Sequence, residues 1–160
     1  MLSRTAEGLF WMARYVERMD NVARLLDAGR RMDNLPHQGS THQSEWISIV
    51  IASGASSTFP LPLEDSDRAS VARHLIRDME NPSSIASCIE AARMNAKAIR
   101  NAITAELWEA INDTRIGLRE QLMQENDKFS LSAFLDWVRE RAGLTMGRID
   151  STLLRDDGYR

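Results

Sequence analysis

Apolar residues recur along the first thirty positions with the period of an α-helix. At about 100° per residue, Leu9, Met12, Ala13, Tyr15, Val16, Met19, Val22, Ala23 and Leu26 share one arc of roughly 180°. Ser3 is a fair N-cap, and proline is absent until Pro36. The pattern predicts a helix from Ser3 to about Met32, about 29 residues and roughly 43 Å long. Asn34 to Thr41 contains Pro36 and Gly39 and reads as a loop. A shorter apolar helix follows, capped by Ser44, carrying Trp46, Ile47, Val50 and Ile51, and ended by Gly54. Ser56 to Pro62 is irregular linker. A third helix is expected from about Ser66 to Met79, with Val71, Ala72, Leu75 and Ile76 inward.

Asn81-Pro82-Ser83-Ser84 places a capping Asn before a Pro at the first helical position. From Pro82 to about Glu125 only Gly117 weakens a helix. Ile85, Ile89, Ala92, Ala96, Ile99 and Ile103 step 4-3-4-3-4, a coiled-coil-like seam. Unbroken, this helix would be roughly 65 Å long, against about 40 Å for a compact chain of this size. It must therefore bend, break (Thr104 is a candidate cap for a new start) or define an elongated bundle. Ser130 or Ser132 should cap a last helix carrying Phe134, Leu135, Val138, Ala142 and Leu144, with Gly143 and Gly147 as places for a kink. No stretch alternates with period two. The expected class is all-α: an elongated bundle of about five helices, one of them very long or broken, forming a single domain over residues 1–160.

Composition narrows the function. The 160 residues are 43% hydrophobic and 27% charged, an ordinary globular balance. A formal net charge of -3 argues against a dedicated nucleic-acid binder. No apolar run approaches the ~18 residues of a membrane span, and the amphipathic start has no signal-peptide core. A single cysteine, Cys88, excludes an intrachain disulfide framework and reads as a small core residue. The expected setting is the reducing cytoplasm. His37, His42 and His74, expected in or near loops, lack the E-x-x-H spacing of a di-metal bundle, so neither a metal nor a cofactor is expected. Glycine-rich phosphate loops and G-x-S-x-G are absent.

Two charged stripes remain. On the first helix Arg14, Glu17, Arg18 and Asn21 stand at i, i+3, i+4 and i+7, with Arg24 at the edge. Phe10 and Leu25 project into the same arc and Trp11 borders it. That mixture predicts a stripe that is buried or interfacial in the assembled protein. The second stripe is Arg93, Lys97 and Arg100, three cations suited to a phosphate or carboxylate, or a solvated face offset by Glu90.

The opening from Leu2 to Arg18, including Glu17-Arg18, followed by Asn21, Ala23, Arg24, Leu25 and Leu26, resembles the Alpha-E family of bacterial all-helical domains, named for a Glu-Arg motif. Asn81-Pro82-Ser83-Ser84-Ile85, Ala92-Arg93-x-Asn95-Ala96 and Trp108-Glu109-x-x-Asn112 resemble the family's middle, and Asp150 to Asp156 its midpoint. Family members are about twice as long, so the resemblance implies the N-terminal half of a two-part domain. It also implies neighbours: circularly permuted ATP-grasp ligases and transglutaminase-like peptidases that make or modify peptide-like molecules. The leading expectation is an accessory binding module presenting Arg14, Glu17, Arg18 and Asn21 to such a partner. The rivals are a self-associating structural subunit, and an enzyme using Glu17 and Arg18 in an amide-forming or hydrolytic step. A carboxylate between two arginines is a poor general base near neutral pH, which favours binding. A missing second half would leave apolar surface for a second copy to cover, so a homodimer through the Arg14 to Arg24 face is expected.

Overall fold

The computed structural model describes residues 2–33, 42–123 and 129–153. They form six α-helices: α1 (Leu2–Asp33), α2 (His42–Ala52), α3 (Arg68–Ile76), α4 (Ile85–Ala98), α5 (Ala105–Met123) and α6 (Leu131–Leu153). Short 3-10 turns lie at Leu63–Asp65 and Arg100–Ala102. The all-α class holds among the described residues. There are six helices rather than five because the long one breaks.

The break follows from local chemistry. The seam from Ile85 to Ile103 is buried throughout, so the coiled-coil spacing does mark the core face. After Ala98 the chain tightens into the 3-10 turn, and Thr104 starts afresh. Its hydroxyl accepts from Leu107 N–H at 3.2 Å, capping α5. Folding back at this point lets both halves bury their stripes in one core.

α1 is a single 32-residue helix, about 48 Å long. Met12, Val16, Met19, Val22, Ala23 and Leu26 are buried, as its periodicity predicts. The larger of these each stabilise the fold by roughly 1.5–3 kcal/mol. α1 packs on α4 and α6, while α5 packs on those same two, closing a four-helix ring. Gly8 near the start of α1 abuts Ile99 just past the end of α4, so these two helices are antiparallel. Arg93 of α4 reaches Asn112 of α5, and Gly117 of α5 lies under Trp137 of α6. Each neighbour therefore runs opposite to the last, in the up-down topology of short-looped bundles. α2 and α3 cover the end where α1 finishes and α4 begins. Trp46 is buried against Gly29 and donates its indole N–H to Asp33 at 3.0 Å.

Several boundaries differ from the sequence reading. α2 begins at His42, two residues before Ser44, and its inward residues are Trp46, Ile49 and Val50, with Ile51 exposed. Gly54 does end it: at φ 73° it lets Ala55 N–H reach Val50 C=O and its own N–H reach Ile51 C=O, a Schellman closure. α3 is shorter than the expected Ser66 to Met79: Asp67 caps its start through a reciprocal box with Ser70, and it ends at Ile76. Asn81 caps nothing helical. Ser84 caps α4, accepting from Ser87 N–H at 3.1 Å. Asn81 is buried, takes Ser83 N–H on its Oδ1 and donates to His74 C=O, tying α3 to the turn before α4. Of the two expected caps of α6, Ser130 holds the position, accepting from Ala133 N–H at 3.4 Å. α6 continues through Gly143 and Gly147, and Leu144 faces out rather than in. The expected loop over 34–41, His37 and the end of the Asp150 to Asp156 block, from residue 154 on, lie outside the described residues.

Candidate anion-binding site

Arg93 of α4 and Arg100 of the 3-10 turn after it lie where the chain meets α5, and the structure adds two residues of α5 to them, while Lys97 is exposed. The Arg93 guanidinium lies 5.6 Å from the Trp108 ring centroid and that of Arg100 lies 5.5 Å from it. Cation–π attraction holds both groups over one indole. Arg93 Nε donates to Asn112 Oδ1 at 2.8 Å, and Asn112 Nδ2 in turn donates to Trp108 C=O at 3.0 Å. Asn112 is thus fixed by its own helix and fixes Arg93. The two terminal amino groups of that guanidinium still have N–H donors to offer.

Among the described residues none of the three cations forms a salt bridge. Glu90, which a helical wheel offers as the counter-charge, points elsewhere. Its Oε1 takes Arg115 Nε at 2.6 Å and Arg119 Nη2 at 3.4 Å. That corrects the reading of a stripe neutralised by Glu90. Two guanidiniums held over one ring without a paired carboxylate are an arrangement that an anion could bridge.

The first stripe is built differently. Arg14 Nη1 binds Glu17 Oε2 at 2.8 Å, with side chains 54% and 45% exposed. Arg24 Nε binds Asp20 Oδ2 at 2.7 Å. Arg18 and Asn21 are exposed as well. Within this chain, then, the Arg14–Arg24 face is open rather than buried. A wheel places Phe10 and Leu25 in the polar arc but does not say what covers them. Here Leu25 is half-buried and Phe10 and Trp11 stay exposed, their rings edge-to-face at 5.3 Å. No described contact joins this stripe to the Arg93 groove.

Cys88 is fully buried, and burial pushes its thiol up to about 12 although the nearby Arg18 charge pulls it down. It is a core residue, as expected. His74 was missed. It lies inside α3, not in a loop, and its side chain is 1% exposed. Its Nδ1 is 2.7 Å from Asp78 Oδ2, its Nε2 is 3.2 Å from Thr58 Oγ1, and Phe59 meets the ring edge-on. The i,i+4 spacing of His74 and Asp78 is visible in the sequence. The Thr58 contact spans sixteen residues and is not. Among the described residues no cluster of three His, Cys, Asp or Glu could hold a metal ion, and no helix is long and apolar enough to cross a membrane.

Against known proteins, residues 1–160 match the Alpha-E family, described as a predicted alpha-helical domain with a conserved ER motif. Uncharacterized proteins of Mycobacterium bovis and of Mycobacterium tuberculosis are each 30% identical to it over 117 residues. That alignment takes in 66% of this chain and 13% of each relative, so the chain spans a small part of their length. No solved structure matches. Glu17-Arg18, the pair that resembles this motif, lies in the exposed stripe of α1. Because the family match runs along the whole chain, the chain belongs to the Alpha-E family.

Proposed function

We propose that this chain is a cytoplasmic helical recognition module that holds an anionic group, carboxylate or phosphate, on the Arg93–Trp108–Asn112 face. It would work beside an ATP-grasp ligase and a transglutaminase-like peptidase in making or modifying peptide-like molecules, an association that rests on the family resemblance. One observation carries the anion reading: Arg93 and Arg100 sit over a single indole, with Lys97 between them in sequence and no carboxylate paired to any of the three among the described residues. Recognition also suits Glu17 better than catalysis does, because Arg14 holds its carboxylate at 2.8 Å.

Calorimetric titration of the full chain with inorganic phosphate and with a short glutamyl peptide tests this. Saturable binding to at least one is expected, weakened about tenfold or more by Arg93→Ala or Arg100→Ala. Asn112→Ala should weaken it less, by loosening Arg93. Absence of saturable binding, or unchanged affinity in the arginine variants, rejects the proposal.

A second reading, self-association through α1, is favoured by Phe10 and Trp11. They are 57% and 43% exposed beside the Arg14–Glu17 pair. Exposed aromatics next to arginine have the composition of a protein interface. A second copy meeting this face about a two-fold axis would cover both rings.

A further inference from the structure

The end of the bundle covered by α2 and α3 contains a cleft of about 760 Å³, bounded by α3, its flanks and the Pro60–Leu61 stretch. That volume lies within the usual small-molecule range of about 300–1,000 Å³. Its charged lining residues are Asp67, Arg73, Arg77 and Asp78, with His74 behind them. Both carboxylates are already committed. Asp67 Oδ1 accepts Ser70 N–H at 2.7 Å in the α3 cap. Asp78 holds His74 Nδ1 at 2.7 Å on one oxygen and Glu80 N–H at 3.0 Å on the other. His74, with both ring nitrogens engaged, is part of the wall.

The two guanidiniums are not committed. The Arg73 side chain makes no hydrogen bond or ion pair among the described residues, and the contact described for the Arg77 side chain is with the Phe129 ring, 5.9 Å away. They are four residues apart on consecutive helical turns, so both can reach one ligand. The remaining lining is largely apolar, and Leu61 and Met79 stand 43% and 58% exposed at its edge. Two guanidiniums with no carboxylate paired to them among the described residues, beside exposed apolar surface, select a ligand of matching halves.

We propose that this cleft binds a carboxylate carried on an apolar body, the guanidiniums of Arg73 and Arg77 taking the carboxylate and Leu61 and Met79 covering the body. A fatty acid and a peptide ending in an apolar residue share that chemistry. The site is separate from the Arg93 groove and stands or falls without it.

Titrating the full chain with octanoate, with acetyl-Ala-Leu bearing a free C-terminus, and with the C-terminal amide of that peptide tests the assignment. At least one acid should bind saturably and the amide should not. Octanoate alone would identify an acyl-chain site, and the peptide acid alone a peptide-terminus site. The Arg73→Ala/Arg77→Ala double variant should weaken binding about tenfold or more. Leu61→Asp should do the same. All the substituted cleft side chains are exposed, and far-ultraviolet circular dichroism checks that helicity is retained. The proposal is overturned if neither acid saturates, if the amide binds as well as the acid, or if the double variant keeps its affinity.

Discussion

Two glycines with opposite surroundings show how far a single methyl group decides stability here. A Cβ on Gly8 would stand 2.5 Å from Ile99 Cγ2, where α1 crosses the end of α4. Ile99 is buried and branched at Cβ, so it cannot swing aside freely. Helix propensity favours Ala over Gly by about 1 kcal/mol, but overpacking costs about 1–3 kcal/mol. Gly8→Ala is expected to lower stability by up to about 2 kcal/mol on that balance, and the penalty should vanish in an Ile99→Ala background. Gly143, inside α6, has nothing within 4 Å of the same position. Gly143→Ala should therefore raise stability by up to about 1 kcal/mol. Urea denaturation midpoints of the two variants should move in opposite directions, and movement in the same direction would refute the packing argument.

At the level of elements, the reciprocal box that starts α3 can be isolated. Hydrogen bonds from Ser70, and the backbone N–H of Ala69, hold the Asp67 carboxyl below its usual value, against an opposing effect of burial. A carboxyl lowered in the folded state stabilises above its unfolded value, about 3.9, and that contribution is lost as pH falls through the lower folded value. Asp67→Ala should cost about 1 kcal/mol near neutral pH. The gap between wild type and variant, measured by thermal unfolding, should close below about pH 4. A gap that persists in acid would mean the carboxylate is not what stabilises the cap. The same elements show what the sequence could and could not reveal. The α1 stripe, the Ile85–Ile103 seam and the Thr104 restart were legible because periodicity and capping are local. Asn81 misled because its local context, a proline just ahead, satisfies every rule for a cap. Its actual partners are the His74 carbonyl on α3 and the Ser83 N–H of the turn before α4. Glu90 misled for the same reason, its arginines lying 25 and 29 residues away. Arg93, Lys97 and Arg100 could be read as a stripe, but the convergence of Arg93 and Arg100 on Trp108 depends on α5 folding back along α4.

For the whole molecule, the open question is what meets α1. The self-association reading places a second copy over Phe10 and Trp11, beside the Arg14–Glu17 pair. Light scattering at micromolar concentration should then give about twice the 18.1 kDa of the chain. Replacing Phe10 and Trp11 with Ser should return the single-chain mass without loss of helicity, since both rings are exposed. A wild-type mass of one chain would reject the dimer and leave the α1 stripe to another partner.

The closed ring of helices has a consequence for how the chain is made. α1 is synthesised before its main partners, α4 and α6, which begin at Ile85 and Leu131. At about 5–20 residues per second, the ribosome needs roughly 3–10 s after Asp33 to reach α4, and roughly 5–20 s to reach α6. For that interval, of the helices in this bundle, α2 and α3 alone are there to cover the stripe from Met12 to Leu26. The nascent chain thus carries a long greasy helix through its most vulnerable seconds, and it is there, more than in the finished bundle, that chaperones would find something to hold.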